Sequence, residues 1–195
     1  MKKFSIIFFL FCLILPLAPA DGGREIPLDL HLIVDNSIAF GYIRNDAIPW
    51  ILENLIDSLL IEGDSITLWS AADRASVVAS GSLNPASGGA SFIDKEAIRS
   101  ALLNLEASGR NADFTNALLE SSQRLMQNQT GQNRLSLTVL VVASAMSIEP
   151  VIRLNPHLLR WSRTLHYEGW QVLIVDPHIG SRVLSASQAY MNSLQ

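Results

Sequence analysis

The chain of 195 residues contains one cysteine, Cys12, which lies within the first twenty residues. Beyond that point there is no disulfide, no thiol nucleophile and no zinc–thiolate site. Charged residues are also scarce, at 16% against 49% hydrophobic, so the chain is not of the disordered class. Lysines and arginines form no cluster and the formal net charge is -4. A nucleic-acid partner, or an anionic membrane surface, requires clustered cations to neutralise phosphates, so both are excluded as main partners. There is no repeat with a period of 20–50 residues and no low-complexity stretch. At roughly 100–200 residues per domain the length fits one domain.

The first twenty residues read as a leader. Lys2 and Lys3 are followed by an apolar run from Phe4 to Leu17, then by Ala18-Pro19-Ala20 with small residues at the positions a signal peptidase reads. The run is shorter than a comfortable membrane span. Large Phe and Leu residues precede Cys12, which is therefore not a lipidation site. Residues 1–20 are read as a signal peptide and residues 21–195 as a single domain. Removing Lys2 and Lys3 takes the net charge from -4 to -6. A chain of this length buries about 70% of its unfolded surface, enough for a core without disulfides. The expected location is periplasmic or secreted, in a bacterial envelope, with no membrane span after leader removal.

What remains alternates between two periods. Leu28–Val34 is a buried-strand pattern ending at Asp35. After Asn45 the residues Ile48, Ile51, Leu52, Leu55 and Leu59 share one helical face, with Pro49 in the first turn and Gly63-Asp64 closing the helix. Ser65–Ser70 and Ala75–Ser80 read as a hairpin turning at Ala72-Asp73. Asp94 caps a helix with Ile98, Ala101, Leu102 and Leu105 inward, and Asp113 caps another with Phe114, Leu118 and Leu125 inward. Leu135–Ala143 is apolar without interruption, which predicts burial on both faces. A helix over 155–166, a strand over Trp170–Val175 and a last helix over 181–194 complete the pattern. Strands alternating with helices predict a three-layer α/β fold: a mostly parallel, doubly wound, Rossmann-like sheet of about five strands with one antiparallel edge strand. Ligands of such sheets sit beyond the carboxyl ends of the strands, where Asp35, Ser144 and Asp176 fall.

From about Leu28 to Gly180 the chain resembles the von Willebrand factor type A family. The resemblance rests on the strand Leu28–Val34 followed by Asp35-Asn36-Ser37-Ile38-Ala39, on the helix and strand after it, on the segment Gly109 to Leu118, and on the strand Leu137–Ser144. Relative to the family the carboxyl end is short, with room after Val175 for one helix and no final strand–helix pair. Metal-binding members of the family hold a cation such as Mg²⁺ or Mn²⁺ with Asp-x-Ser-x-Ser, a Thr from a second loop and an Asp from a third. The resemblance maps Asp35 and Ser37 onto the first loop. Ala39 stands at the second Ser, Ala112 at the Thr with Thr115 three residues on, and Ser144 or Ala145 at the third acid. Hard cations need oxygen ligands, and alanine offers none, so the site is read as degenerate and the protein as having no cofactor. Asp35 then serves as a strand-end carboxylate bonding loop amides and Ser37.

The resemblance implies a protein-binding module rather than an enzyme, with another envelope or extracellular protein as partner. The candidate contact residues are Phe40, Tyr42, Arg110, Asp113 and Thr115, with Met146 and Arg44 near them. Aromatics and arginine are the types enriched at interface cores. In the alternative placement Phe40 and Tyr42 tuck beneath the first helix. A second reading, an envelope hydrolase, would use Ser37, His178 and Asp176. No Gly-x-Ser-x-Gly surrounds Ser37, and His157, His166 and His178 lack ligand spacing. His31, mid-strand, and Trp50, Trp69, Trp161 and Trp170, embedded in apolar patterns, read as packing residues.

Overall fold

A computed structural model of the chain describes residues 24–83, 92–128, 134–143 and 170–175. The elements are β1 (Leu28–Asp35), a 3₁₀ turn (Ile38–Tyr42), α1 (Arg44–Ile51), which runs on as a π-helical segment (Leu52–Asp57), β2 (Ser65–Ala71), β3 (Ala75–Ser82), α2 (Lys95–Leu103), α3 (Phe114–Asn128), β4 (Leu135–Val141) and β5 (Trp170–Val175). They build one five-stranded sheet in the order β3-β2-β1-β4-β5. β1 pairs in parallel with β2 and β4, and β4 with β5, while β3 pairs antiparallel to β2 at the edge. The expected three-layer α/β architecture with one antiparallel edge strand is the one observed.

The two faces of the sheet are packed differently. Even-numbered β1 residues Leu28, Leu30, Leu32 and Val34 meet Leu137, Val139 and Val141 of β4 and the inward side chains of α1, the π segment and α2. The other face carries a smaller cluster in which Ile33, Trp69, Leu140 and Val142 receive Phe114, Ala117 and Leu118 of α3. β3 departs from simple alternation, because the register slips between Leu68 and Trp69 and leaves Val78 as an extra residue. Ala75 and Val77 consequently pack on the α3 side and Ala79 on the other.

The first helix differs from its sequence expectation. It starts at Arg44, directly from the 3₁₀ turn, so Pro49 is an interior residue and not part of the first turn. Proline has no N–H to give to the preceding turn and its ring crowds the carbonyl four residues back. Beyond Ile51 the register widens, with Ser58 N–H donating to Glu53 O and Leu60 N–H to Leu55 O, each at 3.2 Å. That wider turn keeps Leu55, Ile56, Leu59 and Leu60 all buried.

At the amino ends of the parallel strands, buried ion pairs close the sheet. Arg24 pairs with Asp64, whose other oxygen accepts the N–H of Leu28 at 2.7 Å. Arg134 pairs with Asp29 at 2.7 Å and donates to the carbonyls of Leu28 and Gly63. The leader, the helices expected over 155–166 and 181–194, and Trp161 lie outside the described residues.

Candidate functional site

Three segments meet at the carboxyl ends of β1 and β2. The chain leaving β1 is held by Asn36 N–H to Ala71 O (2.9 Å) and by Ile38 N–H to Gly109 O (2.8 Å). The segment before α3 is held by Ser108 N–H to Asn36 O (3.0 Å) and Asp113 N–H to Ala72 O (2.8 Å). The loops Asp35–Gly41 and Arg110–Thr115 therefore share one pole of the sheet, as expected. The third expected loop, Ser144–Ile148 with Met146, lies outside the described residues, as do Asp176 and His178.

Asp35 is the centre of this pole. It is 1% exposed. Its Oδ1 accepts the N–H of Ser37 and its Oδ2 the N–H of Ala143, both at 2.9 Å. One carboxylate thus joins the end of β1 to the end of β4, which is the loop-bonding role read from the sequence. Ser37 is buried as well and forms a parallel bridge with Gly109. Among the described residues, these two loops do not by themselves supply the oxygen set of a six-oxygen cation site. Both carboxylate oxygens are engaged by amides, Ala39 and Ala112 carry no side-chain oxygen, and among the described residues no three His, Cys, Asp or Glu side chains converge as a metal cluster.

Asp113 caps α3 through its Oδ1, which accepts the N–H of Asn116 at 3.2 Å, while Oδ2 accepts the Asn116 side-chain amide at 2.7 Å. Thr115 is half-buried in the first turn of that helix. Sequence reading missed Asp73, which it treated only as a turn residue. Its Oδ1 accepts the N–H groups of Arg110 (2.9 Å) and Asn111 (3.2 Å), fixing the second loop to the β2–β3 turn. The only signal was an Asp in a tight turn with acceptor capacity to spare. Gly109 lies so close to that turn that a Cβ there would meet Asp73 N at 2.6 Å.

The two aromatic candidates separate. Phe40 is 1% exposed and belongs to the main core, which removes it from the contact residues and matches the tucked placement. A 3₁₀ turn brings it inward while Tyr42, two residues on, stays 84% exposed. Ile38 on the same turn is also exposed, and so is Leu103 at the end of α2. Arg44 donates to the carbonyl of Leu103 and ties the turn to that helix end. Arg110 is exposed. The pole therefore offers an apolar and aromatic surface next to an arginine, with Asp35 sealed beneath it.

His31 lies lower on the sheet and is almost wholly buried. Trp69 Nε1–H donates to its Nδ1 at 3.3 Å, and the Arg124 guanidinium sits 5.0 Å from the Trp69 ring centroid. Burial first, then the Arg124 charge, lowers the His31 pKa from 6.5 to about 3. A neutral histidine locked to an indole is a packing residue, as read from the sequence.

No protein-family model matches the chain, and no curated protein sequence matches it. Solved structures do. A von Willebrand factor type A protein from Catenulispora acidiphila superposes with a TM-score of 0.53 at 13% identity, over 87% of this chain and 43% of that one. Proximal thread matrix protein 1 from the mussel byssus gives 0.53 at 14% identity, over 78% and 38%. The manganese-loaded TRAP protein of Plasmodium vivax gives 0.52 at 19% identity, over 87% and 63%. The chain thus spans less than two thirds of the length of each of these structures. Their shared architecture and the sheet order described above give this chain a von Willebrand factor type A-like fold.

Proposed function

We propose that this chain is a protein-binding module, not an enzyme, that acts outside the cytoplasm and engages another envelope or extracellular protein through the strand-end pole without a bound metal ion. Residues 1–20 act as the signal peptide and residues 21–195 as one domain, periplasmic or secreted. The observation that carries the reading is the pole itself: two rigidly pinned loops present Tyr42, Ile38 and Arg110 over an Asp35 whose oxygens are already occupied by backbone amides. Loops positioned by a rigid scaffold are where binding function concentrates. Exposed aromatic and arginine side chains are the usual anchors of protein interfaces. Asp113 and Thr115 border this surface as half-buried residues and complete the contact set. Of the hydrolase alternative's three residues, Ser37 is buried, and His178 and Asp176 lie outside the described residues.

The test is capture of the native partner from envelope material by the wild-type chain and by a Tyr42→Ala/Arg110→Glu double variant. The variant should lose capture and keep its melting temperature, because both side chains are exposed. Capture by the wild type should persist in EDTA, and melting curves with millimolar Mg²⁺ or Mn²⁺ should coincide with those in EDTA, since an ion bound to the native state would raise the transition. Capture retained by the double variant rejects the pole as the binding surface. An ion-dependent rise abolished by Asp35→Ala rejects the metal-free reading.

A further inference from the structure

The registers of β1 with β2 and β4 align side chains into rows on the α3 side of the sheet. Ser65, Asp29 and Ser136 form the row at the strand starts, and Thr67, His31 and Thr138 form the next. Trp69, Ile33 and Leu140 follow as an apolar row. Central parallel strands are ordinarily apolar on both faces, because helices cover both. Here the opposite face obeys that rule and the lower half of the α3 face does not, although Asp29, His31, Thr67, Ser136 and Thr138 are all buried.

Helix α3 has the same division. Its inward stripe reads Phe114, Ala117, Leu118, Ser121, Ser122 and Leu125, every one buried. The first three join the apolar cluster on this face of the sheet. With a rise of 1.5 Å per residue, Ser121 lies about 10 Å below Phe114, past the apolar row and level with the polar ones. Ser121 Oγ is buried with no hydrogen-bond partner. Ser122 Oγ donates to Leu119 O of its own helix at 2.7 Å. Arg124, in this half of the helix, lies over the Trp69 ring of the sheet. The other end of α3 is clamped at Asp113.

We propose that α3 docks in two parts, a fixed first half and a second half, residues 121–128, that lifts from a polar floor as a flap while the rest of the sheet stays folded. Separating apolar surfaces costs free energy in proportion to their area. Polar groups exchange partners with water at small net cost, so the helix opens where the buried Ser121 and Ser122 lie level with the Asp29 and His31 rows.

Beyond Cys12 the chain has no cysteine, so introduced thiols report cleanly in a Cys12→Ser background. Thr138→Cys places a thiol in the floor, and Val139→Cys places one on the opposite face of the same strand; both positions are fully buried. Under native conditions the Thr138→Cys thiol should react with a maleimide at least tenfold faster than the Val139→Cys thiol. Adding Arg124→Ala should speed the first by roughly fivefold, in line with loss of one cation–π contact, and leave the second unchanged. Hydrogen exchange of the unsubstituted chain gives an independent reading: amides of residues 121–128 should exchange together and faster than those of 114–120. Equal thiol rates, or one uniform exchange rate along α3, would overturn the flap.

Discussion

Lowering the pH from 7 to 5 should cost the fold about 2 kcal/mol through His31 alone. In the folded chain its pKa stands at about 3, because burial and the Arg124 guanidinium both oppose the imidazolium. In the unfolded chain it returns to 6.5, the ordinary histidine value. Above pH 6.5 both states hold a neutral ring and the full stability is present. As the pH falls from 6.5 towards 3, only the unfolded state takes up the proton, and stability declines by about 1.4 kcal/mol per pH unit. Below about 3 both states are protonated and this contribution levels off, with about 5 kcal/mol lost in all. Urea denaturation at pH 7, 6 and 5 measures the decline, and the His31→Gln variant isolates it. Glutamine keeps an acceptor for the Trp69 N–H but does not titrate. The variant should lose about 2 kcal/mol less than the wild type between pH 7 and pH 5. Parallel pH profiles for the two proteins would refute the argument and show that His31 becomes charged without disturbing its pocket.

Gly109→Ala forces a Cβ to within 2.6 Å of Asp73 N, a backbone atom that cannot swing away, so it should destabilise by about 1–3 kcal/mol in thermal or urea melts. Phe40→Ala removes a side chain that is 1% exposed and should cost about 3–5 kcal/mol in the same assay. Tyr42→Ala, two residues away and 84% exposed, should change stability by no more than about 0.5 kcal/mol.

The sequence was most legible where one periodicity governed a whole element. β1 and β4 announce themselves as apolar runs, and the alternation of strand and helix patterns leads directly to a parallel sheet with helices on both sides. The amphipathic stripe of α2 and its Asp94 cap, which accepts the N–H of Ala97 at 2.7 Å, were equally plain. The π-helical stretch after Ile51 was not, because an i, i+3, i+4 pattern tolerates a wider turn when four apolar residues occur as the pairs Leu55-Ile56 and Leu59-Leu60. Phe40 and Tyr42 could not be told apart because the 3₁₀ turn that separates them depends on Ile38 bonding Gly109, a residue seventy-one positions away. Asp73 was unreadable for the same reason: its partners Arg110 and Asn111 are distant in sequence. The loop-bonding role of Asp35 was legible, since a carboxylate directly after an apolar strand has backbone amides within reach.

The Arg24–Asp64 pair governs more than stability. Arg24 is bound where β1 and β2 begin, while the Tyr42 loop sits where β1 ends, and a strand of eight residues spans about 25 Å. Arg24 is thereby fixed at the end of the sheet opposite the Tyr42 loop. A support joined to that end would hold the body like a stalk under a flower, with the proposed contact surface turned outward. The same polarity gives a rule for engineering: a label, bead or fusion belongs on the amino-terminal side, where it leaves the approach to Tyr42 and Arg110 clear.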